Sequence, residues 1–270
     1  MLSSYSVIAG KIAEKNELIT AVVILAVIAA LATAAFIVIR ITKAPIYGLI
    51  SKIIASVCFM LIATVGVYMA VPYYIMEGTE AALLIPLGLV FGLIGDIVLD
   101  ARRAHPDFLR QYTWTGMLSF VCGHVIYVLA VFLIAQNLGN KDGGNFTTTQ
   151  WIISTVVSAV VGIIVGVAIV IVSEKTMNAK FGEFKIISIC YGGLLIFFTV
   201  LTIFFAVYNP RFIILAVAMV LFLASDAVLS QMYFVEGKGE DKILVAANHG
   251  LYYSAQILIA CFLFVLAITA

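Results

Sequence analysis

The sequence predicts an all-α membrane protein that crosses a bilayer eight times. Three observations carry this. Of 270 residues, 64% are hydrophobic and 11% are charged, against about 25% charged in an ordinary soluble domain. The mean hydropathy is +1.19. The apolar residues fall into eight runs, each near the roughly 20 residues a helix needs to cross a ~30 Å hydrocarbon core. A water-soluble globule is excluded, because no compact shape hides that much apolar area, and disorder is excluded for the same reason. A nucleic-acid partner is excluded too. The 15 basic and 14 acidic residues leave a net charge of +1, with no basic patch to hold a phosphate backbone.

The first run, 18–39, follows a polar lead with Lys11, Glu14, Lys15 and Glu17. It is long enough to span and lacks a small-residue cleavage site, so it reads as a true span and not a signal peptide. The second is 53–71. The third, 81–99, carries Gly88, Gly92 and Gly95, small residues that admit a neighbouring helix. The fourth is 113–135, the fifth 151–172 and the sixth 186–207. The seventh is 212–233 and the eighth 244–269. Their length and the lack of apolar–polar alternation argue for helices over barrel strands. The connections are short, so residues 1–270 form a single membrane domain. Cys58, Cys122, Cys190 and Cys261 each lie inside an apolar run, and none reads as half of a loop disulfide.

Orientation follows from the distribution of Lys and Arg. The loops after the odd-numbered spans hold eleven, including Arg40, Lys52, Arg102 and Arg103, and the other side holds four. The basic side is therefore expected in the cytosol, with both termini lumenal or extracytoplasmic. Asn145-Phe146-Thr147 is a glycosylation sequon in the fourth loop, on the expected lumenal side. It points to a secretory-pathway membrane, with the endoplasmic reticulum as the default. A faint internal repeat is also visible. Asp-x-Val-Leu recurs at Asp96 and Asp226, and His-x-x-Tyr recurs at His124 and His249. One copy of each per half suggests a parallel four-plus-four repeat.

An ionisable side chain inside a span costs roughly 2.5–3.5 kcal/mol on insertion scales, so each needs a reason. At 1.5 Å per residue, Asp96 lies about 6 Å deep, Asp226 roughly 10 Å and His249 roughly 8 Å, all from the basic side. His124 lies nearer the midplane. Asn248, Tyr252 and Gln256 are spaced four apart and share one helical face. His124 and Tyr127 share another face, and Ser225 precedes Asp226. A polar cavity open toward the basic side is expected. The structural alternatives are that the aspartates are interhelical glue, that His124 is a satisfied core histidine and that the tyrosines are packing anchors. The Arg102-Arg103 pair serves either topology or attraction of a phosphate headgroup. The three histidines lack tight ligand spacing, so no metal site is assigned.

At these residues the sequence resembles the YhhN-like lysoplasmalogenase family. Four patches carry the likeness. They are Gly95-Asp96-x-x-Leu99, Gly116-x-x-x-Phe120-x-x-x-His124-x-x-Tyr127, Leu221-Phe222-x-x-Ser225-Asp226-x-x-Leu229 and Tyr252-Tyr253-x-Ala255-Gln256-x-Leu258-Ile259. The resemblance implies hydrolysis of the vinyl ether bond of lysoplasmalogens to a fatty aldehyde and glycerophosphoethanolamine or glycerophosphocholine. It implies Asp96 and Asp226 as the catalytic pair.

A vinyl ether hydrolyses by protonation of its β-carbon. The resulting oxocarbenium ion captures water, and the hemiacetal collapses. One carboxyl that keeps its proton and one that does not supply the acid, the counter-charge and the base, as in paired-carboxylate glycosidases. No cofactor is needed. The expected partners are the bilayer and a lysophospholipid with one alkenyl chain. His124, Tyr127, Ser225, His249, Tyr252 and Gln256 are expected to orient water or substrate, and Arg102, Arg103 or Lys242 to meet the phosphate. Two other readings stand beside this one: a proton-coupled lipid or small-molecule transporter, and a metal-dependent membrane lipid hydrolase.

Overall fold

The computed structural model describes residues 2–74, 79–142 and 146–269. Asn145 lies outside them. Eight helices follow one another: α1 (Leu2–Thr42), α2 (Pro45–Tyr74), α3 (Thr79–Ala104), α4 (Leu109–Asp142), α5 (Thr148–Thr176), α6 (Lys185–Tyr208), α7 (Ile213–Phe234) and α8 (Lys242–Ile268). All eight are long and apolar enough to cross a membrane. The described residues contain no strand. The protein is an all-α, multi-pass membrane protein.

Each expected run falls on its own helix, in order. The first six lie wholly inside helices that extend past them, whereas the seventh begins one residue before α7 and the eighth ends one residue after α8. The polar lead expected ahead of the first span is itself helical, since α1 begins at Leu2. The extension has a local cause at several ends. Pro45 opens α2 at a position where a missing N–H costs nothing. Thr147 and Gln150 form a reciprocal capping box at the start of α5. Asp241 caps α8 by accepting from the Ile243 and Leu244 amides at 2.9 and 3.2 Å. Pro210 lies two residues past the end of α6 at Tyr208, and Asn209 before it is extended, as a residue ahead of proline prefers.

Adjacent helices pair as hairpins, α1 with α2, α3 with α4, α5 with α6 and α7 with α8. Helix α8 also packs on α2 and α1, α2 on α3, α6 on α7 and α4 on α6. The core sits around α8, the most enclosed span, while α1 and α5 are the most exposed. Their outward faces are apolar, with Leu31 and Ile163 about two-thirds exposed, as a lipid-facing surface requires.

Small residues set how closely the helices approach. The Tyr127 ring of α4 fills the space over Gly88, and Phe120 fills that over Gly95. Gly92 leaves room for the Gln256 amide of α8. The α5–α6 contact is tighter still. A Cβ placed on Gly166 falls 2.8 Å from the Gly193 Cα, against backbone that has nowhere to go. By contrast a Cβ on Gly192, one residue earlier, meets nothing within 4 Å.

That contrast yields a paired expectation. Gly166→Val should push α5 off α6 and cost about 1–3 kcal/mol by overpacking. Gly192→Ala should be neutral or slightly stabilising, because alanine favours a helix interior over glycine. Thermal unfolding of the purified protein in detergent reads both.

Candidate active site

The ends of α1, α2, α3, α7 and α8 on the basic side surround a polar chamber enclosing about 510 Å³, mouth included. Helix α3 supplies its acids. Asp96 and Asp100 are one helical turn apart and share a face. Lys52 of α2 reaches between them, with its Nζ 3.1 Å from Asp96 Oδ1 and 3.6 Å from Asp100 Oδ2. Its side chain is 5% exposed. Arg40 of α1 lies 3.7 Å from Asp100 on the other side. Four charged side chains on three helices thus neutralise one another, which is what allows any of them to be buried at this depth.

Asp96 is held further by hydroxyls. Tyr252 donates to Asp96 Oδ2 at 2.9 Å, and Gln256 Nε2 donates to the Tyr252 oxygen at 2.7 Å. The four-residue spacing on α8 therefore builds a relay along one face. Tyr253 donates to the Lys52 carbonyl at 3.2 Å and shares a hydrogen bond with Ser56 at 3.0 Å. Ser225 and Asn248 lock α7 to α8. The Ser225 hydroxyl donates to the Asn248 carbonyl at 3.1 Å, and the Asn248 amide returns a bond to the Ser225 carbonyl at 3.0 Å.

Asp226 has different company. It accepts a short hydrogen bond from the Tyr191 hydroxyl of α6. It forms no ion pair among the described residues. On its far side lies a second, partly open cavity of about 870 Å³, its opening included, between α4, α5, α6 and α7 and lined almost wholly by apolar groups such as Met117, Ile169, Leu195 and Leu223. Leu99, Phe120, Asp226, Leu229 and Tyr233 line both spaces. Asp96 and Asp226 therefore face one polar chamber, and Asp226 stands where that chamber meets the greasy one.

Of the other expected residues, Ser225, His249 and Tyr252 line the chamber. His249 packs its ring edge on Phe36. Gln256 acts one layer back, through Tyr252. His124 and Tyr127 line neither space. His124 donates from Nδ1 to the Phe120 carbonyl at 2.8 Å, and its ring is enclosed by Phe222, Tyr191 and Tyr127. It stands behind Tyr191 and not beside either carboxyl. Arg102 stacks its guanidinium 3.3 Å over the Tyr233 ring. Arg103 forks onto Glu240. Lys242 is exposed at the start of α8 and does not line the chamber. Among the described residues no three His, Cys, Asp or Glu side chains converge as metal ligands, and the four cysteines are free.

Sequence reasoning missed three of the chamber's residues and one on the greasy side of Asp226. It counted Lys52 and Arg40 as loop cations, left Asp100 just past the third span and passed over Tyr191. The signal for Lys52 was Pro45. With the helix starting there, Lys52 is seven residues inside it, roughly 10 Å deep. Nothing in the sixth span marked Tyr191 beyond its place before two glycines.

The model of the YhhN family matches residues 47–263. The chain belongs to the YhhN family. Neither a curated protein nor a solved structure matches the chain. The YhhN match takes in Lys52, both chamber aspartates of α3, Tyr191, Asp226 and the α8 relay, and begins after Arg40.

At the mouth, Glu240 lies between two guanidiniums. Its burial opposes ionisation, but Arg40 and Arg103 outweigh this and hold the carboxyl below its ordinary value of 4.5. The ionised form is the one the arginines bind. The clasp therefore stabilises the fold fully above pH 4.5 and loses that stabilisation as pH falls through the lowered value. Glu240→Gln should lie below the wild type in thermal stability near neutrality and converge on it in acid, measured as melting temperature against pH.

Proposed function

We propose that this protein is a lysoplasmalogenase-like hydrolase that cleaves the vinyl ether bond of lysoplasmalogens. The observation that carries the proposal is the meeting of the two cavities at Asp226. A lysoplasmalogen has one alkenyl chain, one polar headgroup and its reactive bond at the junction between them. A greasy cavity and a charged chamber sharing one carboxyl match that order. Membership of the YhhN family is consistent with this activity.

The unequal partners of the two carboxyls divide the roles. Asp226, without a cation beside it and bordering apolar side chains, is the proton donor. Asp96, paired with Lys52, is the ionised partner. Asp226 gives its proton to the β-carbon of the vinyl ether, and the C–C double bond becomes a single bond. The positive charge spreads over the adjacent carbon and the ether oxygen. Asp96 stabilises that cation. Water attacks the charged carbon, and its proton passes to Asp96. The hemiacetal then collapses. Its hydroxyl proton returns to Asp226, its C–O bond to glycerol breaks, and the glycerol oxygen takes the proton held by Asp96. The products are the fatty aldehyde and the glycerophospho-alcohol. Tyr252 with Gln256 behind it, and Tyr191, keep the two carboxyls in place, and Lys52 maintains the charge of Asp96.

The excess of Lys and Arg places the chamber mouth in the cytosol on this reading, with the termini lumenal and the endoplasmic reticulum as the membrane.

Purified protein should release aldehyde from 1-alkenyl lysophosphatidylethanolamine. In D₂O the aldehyde should carry one deuterium on the carbon next to the carbonyl, the mark of protonation there. Asp226→Asn and Asp96→Asn should each lose about 10²–10⁴-fold in kcat. Full activity in either removes the mechanism, and lipid flux without aldehyde favours a transporter instead. The chain cavity has its own test. Gly192→Leu projects into the open space beside that residue, so it should raise KM for long-chain substrates while sparing short-chain ones. Aldehyde release measured against chain length checks this.

A further inference from the structure

The mouth of the polar chamber contains an arrangement that the proposed chemistry does not use. Glu240, in the segment between α7 and α8, bridges two arginines that come from different helices. Arg103 donates to it through Nε and Nη2, both at 3.2 Å, and Arg40 donates through Nη1 at 3.3 Å. The two sides of this contact are unequal. The Arg40 side chain is 5% exposed and is backed by Asp100, and the Arg103 side chain is 17% exposed. Glu240 is 68% exposed. Arg40 is buried and Arg103 largely so, while the anion is on the outside. All three bonds are longer than the 2.7–2.9 Å of a tight guanidinium–carboxylate pair.

The charge count points the same way. Arg40, Lys52, Arg102 and Arg103 line the chamber against Asp96, Asp100 and Asp226. With Asp226 holding its proton, as the proposed chemistry requires, and the other groups ionised, the lining carries two more positive than negative charges. Glu240 offsets one of them from outside. A phosphodiester also carries a single negative charge and offers planar pairs of oxygens to a guanidinium fork. One anion can therefore take the place of the other with no change in net charge. Arg102 is already stacked on Tyr233, and Lys242 stands clear of the chamber, so the exchange falls to Arg40 and Arg103.

We propose that Arg40 and Arg103 form the phosphate site of the chamber, that Glu240 occupies it when no substrate is bound, and that the lysophospholipid phosphate enters by displacing Glu240. The carboxylate then acts as a latch on the mouth. It competes with weakly bound anions and yields to a phosphate whose chain is also held in the greasy cavity. The choice of ligand rests on the lysophospholipid reading above, but its test does not depend on turnover.

The test is binding of a saturated 1-O-alkyl lysophosphatidylethanolamine, which has no double bond to protonate, to wild-type, Glu240→Gln and Arg103→Gln protein in nanodiscs. The matching 1-O-alkylglycerol, which lacks phosphate, is the control. Arg103→Gln should weaken binding of the phospholipid by about tenfold to a hundredfold, the loss expected for a hydrogen bond between charged groups. Glu240→Gln should tighten it, because the competitor is gone. Neither change should alter the affinity for alkylglycerol. Glycerophosphoethanolamine should compete with the phospholipid, and more effectively in Glu240→Gln. A phospholipid affinity indifferent to both substitutions overturns the proposal. So does sensitivity to Arg103 of inorganic phosphate alone, with the lipid unaffected. Melting temperatures of the two variants, whose side chains lie at the mouth and not in the core, establish that each is folded. If the phospholipid binds as expected and no vinyl ether is cleaved, the phosphate site stands and the hydrolase reading falls.

Discussion

The ammonium of Lys52, set between Asp96 and Asp100, is the contact on which the rest of this molecule depends. Without it two carboxylates one helical turn apart on α3 would face each other inside a bilayer, and α3 would not lie against α2 and α8 as it does. Insertion scales charge each ionised group a few kcal/mol, and a buried pair returns that only when its geometry is good and its remaining lone pairs are bonded. Here Tyr252 bonds Asp96, whereas Asp100 is held by charge alone, with Lys52 at 3.6 Å and Arg40 at 3.7 Å. The ion cluster fixes where α1, α2 and α3 end relative to one another, and so fixes the chamber.

The two aspartates that look alike in the sequence are made unlike by their neighbours. Each precedes the same Val-Leu pair near the end of its helix. Asp96 meets a lysine and a tyrosine backed by an amide. Asp226 meets a tyrosine and a greasy space. In general two carboxyls do different work when their surroundings differ in charge and polarity. The asymmetry arises between helices, in α2 and α6, and not in the residues next to the aspartates themselves.

That difference explains how much of the protein was legible beforehand. The eight spans were readable because hydrocarbon thickness imposes a length on them, and a run such as 212–233 has no other reading. That Asp96, Asp226 and His249 gather toward the basic end of the bundle was readable too, since rise per residue is fixed within a helix, and all three line the chamber there. The relay on α8 follows from four-residue spacing alone. Lys52 was not readable in this way. An apolar run marks where charge is absent, whereas α2 begins a full two turns earlier, at Pro45, and carries its lysine inward. Tyr191 was hidden for a different reason. A tyrosine in an apolar span is ordinary, and only the approach of α6 to α7 turns its hydroxyl onto Asp226. His124, expected either to orient water or substrate or to be a satisfied core histidine, is enclosed by rings one layer behind.

The sharing of Asp226 between two compartments also has a consequence for the proposed reaction. A cut made at that boundary would leave one fragment on each side of it. The aldehyde would be left among the side chains of α5 and α6, with a way out sideways into the membrane. The glycerophosphate half would be left among the cations, with a way out through the mouth into water. The two fragments would part at the moment the bond breaks, and neither would have to pass the other to leave.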